Sequence, residues 1–305
     1  MKKEIEIHVL SCNRPEYITL TIDSVLRQSF SSFDLYISDN SSTNDVENLI
    51  KISYPNVKYV RRAPQLEALE HFKTILQSIE AEYFVLFHDD DIMMSDYVET
   101  MRKLIIDHPD CAAVACNAKI IRNNTKTEVD FFHSNHALLQ IKNPEELFLL
   151  YCSLTTSVAP FPGYIYRTSK VKDLFLDPKE GGKYSDVSYL MKVAERGPII
   201  WTKQALMHYR IHSGNDSSSI NIGQQLRLLR FVFKKTRLTK TSKAIRQYKF
   251  RLWSSWWRKE LKKGSRLSTK KMKIITGTVI KYGLAYSWTQ PSFFFKAIKK
   301  TLTFK

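Results

Sequence analysis

Residues 82–95 read EYFVLFHDDDIMMS, and few arrangements accommodate them. Tyr83, Phe84, Val85, Leu86 and Phe87 form an unbroken apolar run rich in aromatic side chains. Without alternation, such a run predicts a strand covered on both faces, and therefore a mostly parallel sheet between layers of helices. The strand leads directly into Asp89, Asp90 and Asp91. Three adjacent carboxylates repel one another unless a cation sits among them. Oxygen ligands at the carboxyl end of a strand suit Mg2+ or Mn2+, and an ion held there can also bind phosphate. A solvated acidic turn capping the next helix is the competing reading, and the triplet alone does not separate the two.

The flanking segments supply the context. Residues 4–10 predict a first strand, although Glu6 and His8 are more polar than a central strand favours. Next comes SCNRPEYITLTIDSVLRQS, with Asn13 as the expected helix cap, Pro15 in the first turn, and Ile18, Ile22, Val25 and Leu26 at helical spacing. Residues 34–40 repeat the strand pattern and end on Asp39 before Asn40-Ser41-Ser42. A carboxylate there lies on the edge where open α/β sheets bind ligands, so Asp39 either meets a nucleoside or closes an Asx-turn. A short strand over 57–62, a helix through Leu66–Ile79, a helix after Ser95 and a strand over 111–121 complete an alternating β-α pattern of the doubly wound kind.

In this order the motifs resemble those of the family 2 glycosyltransferases of the GT-A fold. The resemblance rests on Ser11-Cys12-Asn13-Arg14-Pro15, on Asp39-Asn40-Ser41-Ser42-Thr43, and on His88-Asp89-Asp90-Asp91, where His88 stands in place of the first Asp of a D-x-D motif. It covers roughly residues 5–215. It implies a nucleotide-sugar site built from Ser11, Asn13, Arg14, Asp39, Asp89, Asp90 and Arg210, and a Mn2+ or Mg2+ ion on Asp90, with Asp91 and His212 as further ligands. It also implies a catalytic base at Asp186, which otherwise reads as a carboxylate favoured by the first turn of the helix KYSDVSYLMKVAER. Tyr209-Arg210-Ile211-His212 matches an R-x-H element before a serine-rich loop, with Arg210 suited to phosphate. Residues 122–160 are irregular apart from a helix over 144–154. Gly163 beside Tyr164 and Tyr166 marks either a close backbone approach by a sugar or a bend within the core.

Charge divides the chain. Residues 221–305 hold 23 Lys and Arg against one acid, while residues 1–220 hold 24 against 29. We therefore expect a GT-A domain over 1–220, with a nucleotide-sugar half at 1–121 and an acceptor half at 122–220, followed by a basic C-terminal helical region at 221–305. In that region cations share amphipathic helices with Trp253, Trp256 and Trp257, a combination suited to an anionic membrane surface. Nucleic acid ranks lower, because no nucleic-acid motif accompanies the charge. No run of 18 apolar residues and no leader pattern stands in the sequence, and the four cysteines have no paired-ligand spacing. The expectation is a cytoplasmic protein, peripheral on the inner face of the plasma membrane, with buried reduced thiols. It would transfer sugar with inversion from a nucleotide diphosphate donor, UDP for preference, to a glycan or lipid-linked acceptor. A nucleotidyltransferase is disfavoured because the turn at Ser11–Pro15 has no glycine to cradle a triphosphate. A non-catalytic membrane or nucleic-acid binding protein is the remaining rival.

Overall fold

The computed structural model describes residues 3–153, 158–212, 221–249 and 252. Its first part is built as the sequence predicts: β1 (Ile5–Ser11), α1 (Pro15–Leu26), β2 (Phe33–Asp39), α2 (Asp45–Ser53), β3 (Lys58–Arg61), α3 (Ala68–Ser78) and β4 (Tyr83–His88). The four strands pair in parallel in the order β3-β2-β1-β4. Tyr83, Val85 and Phe87 on β4 enter one apolar cluster with α1 and α2, whereas Phe84 and Leu86 enter another with α3. Burial of both faces explains the absence of alternation in this run. The polar pair on β1 is accommodated internally: His8 Nε2 lies 2.9 Å from Glu6 Oε2, and the His8 ring stacks on Tyr36.

Beyond β4 come β5 (Ile92–Met93), α4 (Tyr97–Asp107), β6 (Ala113–Arg122), β7 (Thr125–Asp130), β8 (Leu138–Ile141), α5 (Pro144–Cys152) and β9 (Tyr164–Arg167). Then follow α6 (Thr168–Val171), α7 (Pro178–Gly181), α8 (Ser185–Arg196), β10 (Ile199–Ile211) and α9 (Ile222–Lys235). Strand β9 is wedged antiparallel between β4 and β6, and β10 continues parallel to β6, so the sheet is mixed in this half. Tyr164 and Tyr166 are fully buried, and a Cβ on Gly163 would lie 3.2 Å from Pro160 Cγ and 3.3 Å from the Cys116 carbonyl. Gly163 is therefore a core bend and not a sugar platform.

Part of the stretch expected as a separate basic region packs on the sheet domain. Leu228, Leu229, Phe231 and Val232 of α9, with Ala244, Ile245, Tyr248 and Leu252 after it, are buried in the same cluster as α5 and α8. The periodic apolar face within this basic stretch packs onto the sheet domain, while Arg227, Arg230 and Lys234 stay exposed. Trp253, Trp256 and Trp257 lie outside the described residues. Among the described residues no helix is long and apolar enough to cross a membrane.

Candidate active site

The carboxyl ends of β1, β2 and β4 converge on the acidic turn, and its three carboxylates are treated differently. Asp89 is turned inward: its Oδ2 accepts the Cys12 N–H at 2.9 Å and its Oδ1 accepts Arg14 Nη1 at 2.9 Å. Burial nevertheless raises its pKa to about 6, against the lowering effect of Arg14. Asp90 Oδ2 accepts Arg14 Nη1 at 3.1 Å and lies 2.8 Å from His212 Nε2. Asp91 Oδ1 accepts the Arg210 N–H at 2.9 Å, whereas its Oδ2 is buried without a hydrogen-bond partner among the described residues. Burial, then the neighbouring Asp90 charge, pushes the Asp91 pKa well upward. An unpartnered buried carboxylate oxygen is costly unless an ion completes it.

That oxygen faces a cluster. His88, Asp90 and Asp91 each offer one ligand atom within 4.8 Å of the others, with His88 Nδ1 at 3.9 Å from Asp91 Oδ2. The donor set suits a divalent cation; of the two neighbours of Asp90, Asp91 has an oxygen without a hydrogen bond among the described residues, while both oxygens of Asp89 are bonded to the turn after β1. His212, expected as a further ligand, brings its Nε2 to 2.8 Å from Asp90 Oδ2, beside the same carboxylate. Arg210, expected at the phosphate, is 4% exposed; its Nε donates to the Asp90 carbonyl, its Nη1 donates to Asn124 Oδ1, and its guanidinium lies over the Tyr17 ring, contacts that brace the acidic turn.

Three contributors to this site carry no sequence signal of their own. Thr21 Oγ1 lies 2.9 and 2.7 Å from the carbonyls of Asp89 and Asp91 and shares its single proton between them. Ser24 Oγ accepts the Met93 N–H, and Gln28 bridges the Met94 carbonyl and the Val98 N–H. These residues form a buried polar stripe along α1 that holds the acidic turn and β5 in place. On a helix, a polar residue every three or four positions ordinarily marks the solvent face.

At the end of β2, Asp39 is fully buried and fully partnered. Ser41 donates to Oδ1 through its N–H and hydroxyl, and Tyr59 and Arg61 donate to Oδ2 at 2.7 and 2.9 Å. It closes the Asx-turn, so a nucleoside would have to displace one of these groups to reach it. Asn13 is not the cap of α1. Its φ of 56° places it in the left-handed region, its N–H donates to Ser41 Oγ, and its Oδ1 accepts the Ser42 N–H. It thereby ties the turn after β1 to the turn after β2. Ser11 Oγ is buried beside them without a partner among the described residues, and Cys12, expected to be buried, is exposed. Cys111, Cys116 and Cys152 are buried free thiols.

Asp186 opens α8. The residue is half-buried, but its Oδ1 is sealed from solvent and has no hydrogen-bond partner among the described residues. Burial lifts its pKa to about 6, offset in part by backbone N–H groups of the first turn. The turn before it is clamped by α9: Gln224 accepts the Lys183 N–H, and Gln225 donates to the Tyr184 hydroxyl. Gly182, with φ of 61°, leaves no room for a side chain, since a Cβ would lie 2.6 Å from Gln224 Cγ. The hydroxyl of Tyr209 on β10 is influenced by both acidic regions. Its pKa is raised first by burial and then by the charges of Asp91, Asp90 and Asp186.

A parallel half carrying an acidic turn, joined through an antiparallel strand to a second half with a carboxylate at a helix start, is the architecture of GT-A proteins. Residues 6–175 match the family described as glycosyl transferase family 2, and the chain belongs to that family. Among solved structures, S. aureus TarS 1–349 in complex with UDP-GlcNAc is similar with a TM-score of 0.64 and 16% identity, over 93% of this chain and 81% of that one. The mannosyltransferase PcManGT from Pyrobaculum calidifontis, in complex with GDP-Man and Mn2+, is similar with a TM-score of 0.56 and 13% identity, over 100% and 89%. Protein CgeD of Bacillus subtilis strain 168 is 23% identical over 146 residues, 44% of this chain and 34% of its own length. An uncharacterized glycosyltransferase of Haemophilus influenzae is 21% identical over 227 residues, 71% and 68%. The chain thus spans about a third of the length of the B. subtilis relative.

Proposed function

We propose that this protein is an inverting glycosyltransferase that moves a sugar from a nucleotide diphosphate donor, a UDP-sugar, to an acceptor hydroxyl in surface polysaccharide or glycolipid synthesis. One observation carries the reading: the orphaned buried oxygen of Asp91, set against His88 and Asp90 at the end of β4. A divalent ion, Mn2+ or Mg2+, held by these residues supplies Lewis-acid stabilisation of the charge on the departing diphosphate. Arg14 and His212 hold Asp90 in place. Ser11, Asn13 and the turn secured by Asp39 form the nucleoside end. Asp186 takes the acceptor proton as the hydroxyl attacks the anomeric carbon from the face opposite the diphosphate, and no covalent enzyme intermediate is needed. A screen of nucleotide sugars, read as metal-dependent release of nucleoside diphosphate, tests the assignment. Release from one donor that stops with EDTA supports it, and no release from any donor with any divalent ion would refute it.

The second part of the proposal concerns the acceptor side of the cell. Arg227, Arg230, Lys234, Lys240 and Lys243 are exposed and have no acidic partner among the described residues, so this face is positive without compensation. It favours peripheral attachment to an anionic membrane on the cytoplasmic face, where each cation near the surface contributes about 1 kcal/mol. Because Leu228, Val232, Ile245, Tyr248 and Leu252 are buried in the core cluster, the informative truncation removes 253–305 and not 221–305. Weaker binding of the truncated chain to phosphatidylserine or phosphatidylglycerol vesicles is expected, and equal binding would assign attachment to the packed face alone.

A further inference from the structure

We infer that Gln224 and Gln225 on α9 are positioning residues for Asp186, so that a helix from the basic C-terminal stretch completes the base side of the site. The inference rests on the assignment of Asp186 as base and deepens it. Asp186 lies in the first turn of α8, where backbone N–H groups favour its charged form, and its Oδ1 has no hydrogen-bond partner among the described residues. The backbone that leads into the helix therefore sets where this carboxyl stands.

That backbone is Gly181-Gly182-Lys183-Tyr184, and its two glycines leave it little conformational preference of its own. From within α8, Ser185 Oγ lies against the Gly182 carbonyl. From across the fold, the hold comes from α9. Gln224 Oε1 accepts the Lys183 N–H at 3.1 Å, Gln225 Nε2 donates to the Tyr184 hydroxyl at 2.9 Å, and Gln224 fills the space that a Cβ on Gly182 would need. The clamping helix is itself secured. Asn221 Oδ1 accepts the Gln224 N–H at 3.1 Å, and Leu228, Leu229 and Val232 on the following turns are buried in the core. A firm helix thus holds a soft turn that carries a base, and a displacement of about 1 Å at a reacting group can cost about a hundredfold in rate.

The test uses the full chain with a panel of UDP- and GDP-hexoses and Mn2+, water standing in for the acceptor. Gln224→Ala removes both the hydrogen-bond acceptor and the filling against Gly182, Gln224→Glu keeps an acceptor oxygen at the same reach, and Gln225→Met drops the contact with Tyr184. In Gln224→Ala, kcat for nucleoside diphosphate release should fall about ten- to a hundredfold with the donor KM unchanged. The acidic limb of its pH profile should also move down from about 6, as the loosened turn admits water to Asp186. Gln224→Glu should recover most of the rate, and Gln225→Met should fall between wild type and Gln224→Ala. Hydrogen exchange at the Lys183 amide, measured on the chain alone, should quicken about tenfold or more in Gln224→Ala and slow again in Gln224→Glu. A lower melting temperature with kcat and the pH limb unchanged would assign the clamp to stability alone and overturn the inference, as would unchanged exchange at Lys183. Loss of rate in Asp186→Asn beside full rate in Gln224→Ala overturns the inference and leaves the base in place. Full rate in Asp186→Asn, or no release by wild type from any donor, overturns the reading beneath it as well.

Discussion

The carboxyl ends of β2 and β4 lie in the same parallel sheet, and each carries a fully buried carboxylate. At Asp39 every oxygen is answered from within the chain, by Ser41, Tyr59 and Arg61. At Asp91 one oxygen is answered and the other accepts no hydrogen bond among the described residues. A carboxylate partnered on all sides contributes to folding, whereas one buried half-partnered lowers stability and is kept where a ligand completes it. The proposed division of roles, Asp39 holding a turn and Asp91 holding a ligand, rests on this difference.

That contrast breaks most readily at Asp91 itself. Asp91→Asn keeps an oxygen for the Arg210 N–H but removes the charge, so turnover should fall about a thousandfold. The melting temperature should hold or rise. A stable variant with full activity would place the ion elsewhere. The corresponding loss for Asp186→Asn is about a hundredfold or more, and its pH dependence has a definite sign. Asp186 acts deprotonated, so kcat/KM should decline below a pH of about 6, and the variant should lose that limb. For stability the sign is opposite: the folded chain holds this proton at a higher pH than the unfolded chain does. Its contribution to stability therefore rises as pH falls from about 6 toward 4. A chemical denaturation series across that range should be flatter for Asp186→Asn.

Asp39→Ala should behave as the mirror of Asp91→Asn. It leaves the Arg61 guanidinium and the Tyr59 hydroxyl unanswered, and because the Arg61 side chain is 20% exposed the cost is discounted to about 2 kcal/mol, read from denaturant midpoints. Activity at a temperature where the variant is folded should fall far less than for Asp91→Asn. Smallest of the set is Thr21→Val, which removes the one hydroxyl donor shared by the two carbonyls of the acidic turn, at a cost of about 1 kcal/mol. Its Mn2+ affinity should weaken while donor binding in saturating metal is kept. An effect confined to stability would show that the polar stripe of α1 supports the turn without shaping it.

Much of this was legible in the residues. The apolar run of β4 gave its own burial on both faces, and the order of the three motifs gave the fold of the first half. The helix that Asp186 opens was readable from its apolar spacing. Other features were hidden for identifiable reasons. Asparagine is favoured both as a helix cap and in left-handed turns, so Asn13 did not announce which of the two it would be. Strands β7 and β8 are short and mostly exposed, and carry little apolar signal. The insertion of β9 between β4 and β6 is a non-local pairing that local pattern does not encode. The division of labour among Asp89, Asp90 and Asp91 depends on which way each side chain turns, which adjacent positions in a sequence leave open. A strong net charge hid the apolar face of α9, which belongs to the core.

The most direct measurement is a crystal soaked with UDP and MnCl2, with anomalous diffraction recorded for manganese. The account predicts a peak in contact with Asp91 Oδ2 and Asp90, between them and the diphosphate. Manganese seated away from Asp91, or Asp90 and Asp91 turned from both ion and diphosphate, would contradict it.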